Sequence, residues 1–334
     1  MISASEKIRS IFPRLIDATH LKELALKFSI TYYSLSYSKA RRKLLQRFLG
    51  SGDAHIKIDF KKLNITPKNE TPILYFDPSD EGASVDLYAW GFREPIHTYM
   101  LYNFLAEKMA YFDCVIDIGS HIGYFPLIEH ESGVKSIIAI EPNPYIYTYL
   151  KKNSCHFKNV KTLNMAVSNR DGYVTMLLSK RSNFSRVVEE STYTKPCVSG
   201  SGEKVIDVRA LSLKTIIDSM ELRGANVFLR MDVEGYEKVI LEKLPNEVCG
   251  ISFELHPHII GWESTISLFR KLFEMGFKTE ILTYEGVYMY PVIKFLGISR
   301  ALQLFNPILL EPDINKSKQF ITEKLQPHIF MLRV

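Results

Sequence analysis

The sequence predicts an α/β protein with an open, mostly parallel sheet, and two short stretches carry this prediction. Cys114–Ile118 is an apolar run closed by Gly119, which is typical of a buried parallel strand. Ser136–Ile140 is a second such run, and a helix-length segment separates the two. A strand, a loop, a helix and another strand in this order form the repeating unit of a parallel sheet.

A carboxylate stands at the carboxyl end of each of these two strands, Asp117 on the first and Glu141 after the second. Ligands of open parallel sheets bind at this edge. Gly119 and Gly123 allow the backbone to turn sharply and to approach a ligand closely. The helix that follows points its N-terminal amides at the same place. The sequence therefore predicts a ligand site here.

Three interpretations of this site compete. A dinucleotide site carries G-x-G-x-x-G with an acid about 20 residues later, but here Asp117 stands at the first glycine position and would repel a pyrophosphate. S-adenosylmethionine (SAM) has an ammonium, a sulfonium and a ribose diol, so Asp117 suits its ammonium side and Glu141 its ribose hydroxyls. Two buried strands that end in ordinary turn acids are the third interpretation.

The remaining elements are predicted from apolar runs, helical spacing and turn residues. Helices are predicted at 96–109 after Pro95, 145–153, 213–221, 236–243 and 267–275. Strands are predicted at 56–60, 160–168, 173–178, 205–210, 226–231, 250–258, 277–284 and 328–334.

Several blocks of the chain resemble, in the same order, the FkbM-type SAM-dependent methyltransferases. The blocks are Asp117-Ile-Gly-Ser-His-Ile-Gly-Tyr-Phe, Ile140-Glu-Pro-Asn-Pro, Asn164-Met-Ala-Val-Ser and Met231-Asp-Val-Glu-Gly-Tyr-Glu, with Arg93-Glu-Pro before them and Phe253-Glu-Leu-His-Pro after them. The resemblance extends over residues 85–257, with a weaker tail at 328–334. It implies a class I methyltransferase (Rossmann-like) fold with a seven-stranded, mostly parallel sheet, and a SAM-dependent methyltransferase activity.

The resemblance and the strand ends together give a set of expected site residues. The residues expected to bind SAM are Asp117, Gly119, His121, Gly123, Glu141, Pro142, Asn143, Ala166 and Asp232. Glu234 and Asn183 are expected near the substrate, because Glu234 follows the fourth strand of the sheet and Asn183 lies where the family tends to carry an Asn.

Methyl transfer to a hydroxyl requires removal of its proton, and Asp232, Glu254 and His256 are the candidates. Strand alternation would place Glu254 and His256 on one face, and His256 has the ordinary pKa closest to neutrality. A divalent metal held by the same three side chains is an alternative way to acidify a hydroxyl. Nothing in the spacing requires it, so no metal is predicted.

The expected acceptor is a hydroxyl of a sugar, a glycan (lipid-linked glycans included) or a secondary metabolite. An RNA methyltransferase or a non-catalytic SAM-fold binding module is the alternative. Amino-methylating enzymes of nucleic acids carry Asn/Asp-Pro-Pro-aromatic after the fourth strand, where this chain has Asp232-Val-Glu-Gly. Asn143-Pro-Tyr follows the second strand instead, which argues against nucleic acid.

Length and composition allow one large domain with an appendage. The chain has 334 residues, a net charge of +5 and four cysteines without C-x-x-C spacing. The mild charge is no evidence for a nucleic-acid partner, and the scattered cysteines predict free thiols in a reducing compartment. With no signal-peptide pattern at Met1 and no long uncharged apolar stretch, we expect a cytoplasmic protein.

Two segments lie outside the resemblance. Residues 1–84 are expected to form an N-terminal helical extension and linker, and 85–334 a methyltransferase domain with an insertion at 286–326. The basic helix at 39–50 suits peripheral membrane contact, RNA contact or a solvated face packed on the domain. The insertion, apolar at 286–310, suits either a lid or platform for a lipid-linked acceptor or a satellite cluster packed on the N-terminal helices.

Overall fold

The computed structural model describes residues 54–68, 72–80, 83–179, 181–188, 204–314 and 327–334. The strands are β1 (Ala54–Lys57), β2 (Ile73–Phe76), β3 (Cys114–Ile118), β4 (Ile137–Ile140), β5 (Val160–Leu163), β6 (Ala166–Ser168), β7 (Gly172–Leu178), β8 (Arg186–Val188), β9 (Lys204–Ser212), β10 (Val227–Met231), β11 (Val248–Glu254), β12 (Phe277–Thr283), β13 (Ile308–Leu310) and β14 (His328–Arg333). The α-helices are α1 (Ala83–Trp90), α2 (Pro95–Lys108), α3 (Tyr124–Ser132), α4 (Pro144–Ser154), α5 (Leu213–Ser219), α6 (Glu237–Leu241), α7 (Pro257–Ile260), α8 (Trp262–Glu274), α9 (Met289–Leu296) and α10 (Ile298–Phe305).

The central sheet has eight strands in the order β13-β12-β14-β11-β10-β3-β4-β5. Strands β3, β4, β5, β10 and β11 pair in parallel, whereas β14 is antiparallel to both of its neighbours. Without the short edge strand β13, the chain order of the strands across the sheet is 3-2-1-4-5-7-6. This confirms the predicted class I methyltransferase fold with its mostly parallel sheet, and β13 is an addition from the insertion.

The apolar runs form strands because helices cover both faces of the sheet and bury both sets of side chains. All five residues of β3 are buried, as are all five of β10. Ile116 packs in one large apolar cluster and Val115 in the other, as alternation along a strand requires. The order of the strands reverses between β3 and β10, which is where open α/β sheets bind ligands.

The predicted third strand, 160–168, is two strands rather than one. β5 joins the central sheet, whereas β6 leaves it and pairs in parallel with β9 in a separate four-stranded sheet, β6-β9-β7-β8. Asn164 stabilises the break, because its side-chain amide donates to the backbone oxygens of Glu141 and Pro142. The second sheet therefore starts directly beside the end of β4.

The fifth predicted strand is also shorter than expected. β11 ends at Glu254, and His256 lies at the start of α7. A helix that begins at Pro257 agrees with the preference of proline for the first helical turn. Glu254 and His256 come close through this turn and not through strand alternation.

The described part of the insertion, 286–314, packs against the segment that precedes the domain core. Trp90 and Phe92 share an apolar cluster with Tyr290 and Ile293 of α9. The Lys294 ammonium donates to the Trp90 carbonyl at 2.8 Å. The predicted packing of the insertion on the N-terminal helices lies outside the described residues, so both the satellite-cluster and the lid interpretation stay predictions.

Some sequence predictions lie outside the described residues, among them the helical extension over 1–50 with its basic stretch and residues 315–326 of the insertion. Within the described ranges, none of the helices combines the length and apolar character needed to cross a membrane. Cys114, Cys155 and Cys249 are free thiols, and Cys197 is not among the described residues.

Candidate functional site

A cavity opens at the carboxyl ends of β3 and β10. The predicted site residues that line it are Gly119, His121, Glu141, Pro142, Ala166, Asp232 and Glu234. The predicted site residues that do not line it are Asp117, Gly123, Asn143, Glu254 and His256. The sequence therefore located the correct edge of the sheet, but it did not distinguish the residues that face the cavity from those behind them.

The loop after β3 approaches the loop after β10 closely. Gly119 has a φ of +79°, and a Cβ at this position would overlap the carbonyl oxygen of Asp232. The amides of Gly119 and Ser120 both donate to the Ile140 carbonyl. Glycine is therefore required here by both conformation and space, and it brings the ends of three strands together.

Asp117 and Arg230 form a buried ion pair across neighbouring strands. They are register partners on β3 and β10, and Arg230 Nη1 lies 3.0 Å from Asp117 Oδ1. The guanidinium also packs over the Phe125 ring, 3.8 Å from its centre. Burial raises the pKa of Asp117, against the opposing charge of Arg230. The Asp117 carboxylate therefore holds Arg230, which lines the cavity, whereas Asp117 itself does not line it. A direct contact between Asp117 and the ligand stays a prediction.

Arg230 also pairs with Asp232, and Asp232 is the one of its two carboxylate partners that lines the cavity. Its Oδ2 lies 3.6 Å from Arg230 Nη2, whereas its Oδ1 is buried without a hydrogen-bond partner. Burial alone would raise the pKa of Asp232, but Arg230 and His256 lower it below its usual value. Asp232 is therefore charged at neutral pH and has one oxygen to offer.

Glu141 organises the neighbouring loop. Its Oε2 accepts the His121 amide at 2.9 Å and its Oε1 accepts the Asn143 amide at 2.8 Å. Burial nevertheless raises the pKa of Glu141 to about 7, with these two bonds opposing the rise. The His121 ring contacts the Ser182 hydroxyl at 2.6 Å, and burial lowers the pKa of His121 to about 4. The ring of His121 is therefore neutral.

Two of the residues predicted to bind the cofactor instead stabilise the loops around the cavity. Asn143 is the N-cap of α4, where its side-chain oxygen accepts the amide of Tyr145 at 3.1 Å. Gly123 begins α3 with a φ of +94°, and a Cβ there would lie 3.2 Å from Cδ1 of Leu150. These residues position the loops and do not line the cavity.

Three acids surround the His256 ring behind Asp232. His256 is completely buried, and its Nδ1 lies 2.5 Å from Glu237 Oε1. Its Nε2 lies 3.5 Å from Glu234 Oε2 and 3.9 Å from Glu254 Oε1. The predicted group of Asp232, Glu254 and His256 is thus brought together, with Glu234 and Glu237 as additional members.

His256 is poorly suited to act as the base. Burial by itself lowers the pKa of His256, but the hydrogen bond to Glu237 and the charge of Glu254 raise it to about 10. A histidine with that pKa carries a proton at neutral pH and has no lone pair for the acceptor. The choice of base from the ordinary pKa of histidine is therefore corrected, and carboxylates at the cavity are the remaining candidates.

Glu234 is held in a strained conformation at the cavity. Its φ is +50°, and His121 and Glu94 have φ values of +51° and +40°. Left-handed backbone at non-glycine residues costs about 1–3 kcal/mol and concentrates at functional sites. Burial beside the negative charge of Asp232 raises the pKa of Glu234 to about 8. The carboxylate of Glu234 is therefore a stronger base than an ordinary glutamate.

Arg93 lines the cavity next to Glu94. Arg93 Nε and Glu94 Oε1 form an ion pair at 2.6 Å, and both side chains are largely buried. Glu94 also lies 3.5 Å from the ring of His328, which stacks on His97 with 3.8 Å between ring centres. The Arg93-Glu94 segment, one of the blocks of the resemblance, therefore borders the cavity.

Sequence reasoning missed Arg230 and Glu237. Arg230 interrupts the apolar run Val227–Met231. A charge in a strand buried on both faces needs a partner, so this position carried a usable signal. Glu237 looks like an ordinary first-turn helix acid in the sequence, and only the fold places it against His256.

Asn183 cannot be assigned a contact, because its side chain is outside the described part of the structure. Its neighbour Ser182 lines the cavity and donates its backbone amide to Asp80 at 2.9 Å. The 3₁₀ turn Ser182–Phe184 therefore borders the site, whereas a role for Asn183 stays a prediction.

The chain is similar to known proteins both in sequence and in fold. Residues 117–279 match the family described as Methyltransferase FkbM domain. No curated protein gave a significant match. A putative RNA methyltransferase from Pyrococcus horikoshii is similar in structure, with 12% identity, 88% of this chain and 99% of that chain covered, and a TM-score of 0.37.

Two further solved structures are similar at the same level. The O-methyltransferase from Bacillus cereus in complex with SAH is 7% identical, with 73% of this chain and 83% of that chain covered and a TM-score of 0.36. M. jannaschii TYW2 in complex with AdoMet is 12% identical, with 80% and 85% covered and a TM-score of 0.34. Scores this low carry no argument about activity, so the assignment depends on the family match and on the strand order of the sheet. Residues 117–279 therefore match a methyltransferase domain of the FkbM type, and SAM is the cofactor that agrees with the fold.

Proposed function

We propose that this methyltransferase transfers the methyl group of SAM to a hydroxyl of a sugar, a glycan or a secondary metabolite. The observation that carries the proposal is the acidic cavity at the switch point, where Asp232, Glu234 and Glu141 line one space. Carboxylates suit a cationic cofactor at one end of the space, and at the other they suit an acceptor that must lose a proton.

The residues of the cavity agree with SAM in their chemistry. The unpartnered Oδ1 of Asp232 offers a negative atom to an ammonium group. The carboxylate of Glu141, at the end of β4, suits the two hydroxyls of a ribose, and Pro142 and Ala166 give apolar surface next to it. A pyrophosphate would meet the same acids with repulsion, so a dinucleotide does not suit this cavity.

SAM, when bound, supplies a methyl group on a cationic sulfur that leaves as a neutral thioether. The chain must then align the acceptor oxygen and receive its proton. Glu234 is the group we assign to the proton, because its carboxylate lines the cavity. With its pKa raised to about 8, it accepts the proton only in its ionised form, whose fraction grows as the pH rises through 8. Asp232, whose pKa is lowered, is the weaker base of the two.

The proposed acceptors include lipid-linked glycans, because the insertion exposes apolar side chains. Among its described residues, the side chains of Val287, Phe295 and Leu310 are 48%, 49% and 70% exposed. Exposed apolar groups of this kind suit a membrane-side acceptor or peripheral membrane contact through 286–310. The sequence 39–50, proposed for the same contact, lies outside the described residues.

The test is a transfer assay with methyl-labelled SAM. The full chain is incubated separately with lipid extract, soluble metabolites and RNA, next to Glu141→Gln and the surface control Glu107→Gln. Label in the lipid or metabolite fraction that is lost with Glu141→Gln and retained with Glu107→Gln supports the proposal. Label in RNA alone favours the RNA-methyltransferase alternative. SAM binding without label in any fraction favours a non-catalytic module.

A further inference from the structure

The ring nitrogen Nε2 of His256 is the most unusual polar atom of the site. It is buried and has no hydrogen-bond partner, although His256 is completely buried. The nearest charged atoms are carboxylate oxygens, Glu234 Oε2 at 3.5 Å and Glu254 Oε1 at 3.9 Å. A buried polar atom without a hydrogen bond calls for an explanation, and an ion held between this nitrogen and the nearby carboxylates is one.

The three side chains Asp232, Glu254 and His256 can each offer one ligand atom within 4.8 Å of the others. Two ligands of one ion with bonds of about 2.1 Å at a right angle lie about 3 Å apart. Small side-chain rotations would therefore bring these three atoms around one ion. The unpartnered Oδ1 of Asp232 is a second buried atom without a partner in the same group.

Glu237 holds the histidine in the orientation that a metal ligand needs. Its Oε1 contacts Nδ1 at 2.5 Å, so Nδ1 carries the hydrogen and Nε2 is directed at Glu234 and Glu254. The same oxygen accepts the amide of Gly235 at 3.1 Å, which positions the carboxylate itself. Metal-ligating histidines nearly always donate their second nitrogen to a carboxylate or carbonyl in this way.

We propose that Asp232, Glu254 and His256 bind a divalent first-row cation next to the cavity, which Asp232 lines, and that Glu237 orients His256 for this role. One imidazole nitrogen with two carboxylate oxygens is a ligand set that Mn²⁺ accepts, whereas Ca²⁺ prefers oxygen ligands alone. The cation replaces the proton on Nε2 and offsets the excess of negative charge from Glu234, Glu254 and Asp232.

A cation at this place could lower the pKa of the acceptor hydroxyl in the proposed methyl transfer. This catalytic role of the ion rests on the proposed function. A divalent ion lowers the pKa of a hydroxyl that it binds. The hydroxyl proton then passes to the Glu234 carboxylate, the acceptor oxygen gains the methyl carbon, and the sulfur keeps the electron pair of the broken bond. Binding of the ion itself is independent of any transfer and is tested without SAM.

The experiment titrates MnCl₂ into the full chain after dialysis against a chelator. Free Mn²⁺ is followed by its six-line electron paramagnetic resonance signal, which is lost on binding. We expect one ion per chain, and a fall in affinity of at least tenfold in Glu254→Gln and His256→Gln. Glu237→Gln, which touches no ion, should lower the affinity about 10- to 100-fold.

Glu141→Gln is the matched control, because it removes a cavity carboxylate outside the proposed ligand set. It should keep its Mn²⁺ affinity while it loses SAM. Thermal unfolding of every variant identifies those that do not fold, and Glu237→Gln provides the test if a ligand variant is lost. Mn²⁺ that does not bind, or that binds equally to the wild type, Glu254→Gln and His256→Gln, overturns the proposal.

The two proposals fail in different ways. Mn²⁺ binding with no methyl transfer to any fraction overturns the proposed function and leaves the cation site intact. Methyl transfer that continues at an unchanged rate in chelator, from a chain that binds no Mn²⁺, overturns the cation site and leaves the proposed function intact.

Discussion

Arg230 Nη1 lies 3.0 Å from Asp117 Oδ1, and both side chains are buried between adjacent parallel strands. The pair links β3 to β10 at the point where the order of the sheet reverses. It also leaves Asp232, two residues after Arg230, as the carboxylate that faces the cavity. The architecture of the site therefore depends on an ion pair of which only Arg230 lines the cavity.

Removal of one partner of this pair should destabilise the protein strongly. Arg230→Met leaves the Asp117 carboxylate buried without its counter-ion, which costs about 3–5 kcal/mol of unfolding free energy. Asp117→Leu combined with Arg230→Met removes both charges and should recover most of the loss. Urea denaturation of the two variants checks this. A double variant no more stable than Arg230→Met would contradict the assigned pairing.

Cofactor affinity should depend on the ionisation of Glu141. Its pKa is raised to about 7, so the carboxylate gains a proton as the pH falls through 7 and accepts ribose hydroxyls less well. SAM affinity should therefore be highest above pH 8 and decrease below pH 7. Isothermal titration calorimetry across this pH range measures it. Glu141→Gln, which cannot ionise, should bind weakly and lose this pH dependence. If SAM affinity changed equally with pH in the wild type and in Glu141→Gln, the titrating group would be a residue other than Glu141.

Gly119 should tolerate no side chain, for two separable reasons. Gly119→Ala adds a methyl group at a φ of +79° and overlaps the Asp232 carbonyl. Gly224 has a φ of +76° with nothing within 4 Å of a Cβ. Gly224→Ala should therefore cost about 1–2 kcal/mol from conformation alone. We expect a clearly larger loss for Gly119→Ala in urea unfolding, and equal losses would show that the close approach is unimportant.

Glu285 should couple the insertion to the cavity. Its Oε1 accepts the amides of Ile96 and His97 at the start of α2, at 2.5 and 2.8 Å. Glu285→Ala should cost about 1–3 kcal/mol, because two amides lose a shared acceptor. Loss of this anchor next to Arg93 should also raise KM for the acceptor more than KM for SAM. Steady-state kinetics with the acceptor that the transfer assay finds would measure both constants. Equal changes in the two KM values would argue against a link to the acceptor side.

The strands and the glycine loop were accessible to sequence reasoning because their signals are local. The apolar runs of β3 and β4 are continuous, and both faces of such strands are buried. The break between β5 and β6 was not accessible, because Asn164 ends one strand through bonds to residues of another loop. The end of β11 before His256 was missed for a related reason, since a strand continued through His256 matches the local pattern equally well.

The sequence by itself determined the parallel sheet, the edge of the sheet at which the cavity lies and the resemblance to the family that residues 117–279 match. Periodicity and short motifs carry these properties, and both are local. Only the tertiary structure decided which acids face the cavity, because Asp117 is neutralised by Arg230 from a strand far along the chain. It also decided the state of His256, since Glu234 and Glu237 from the segment after β10 and Glu254 from the end of β11 meet around its ring. Charge states in a buried cluster depend on neighbours in space, and no spacing along the chain specifies them.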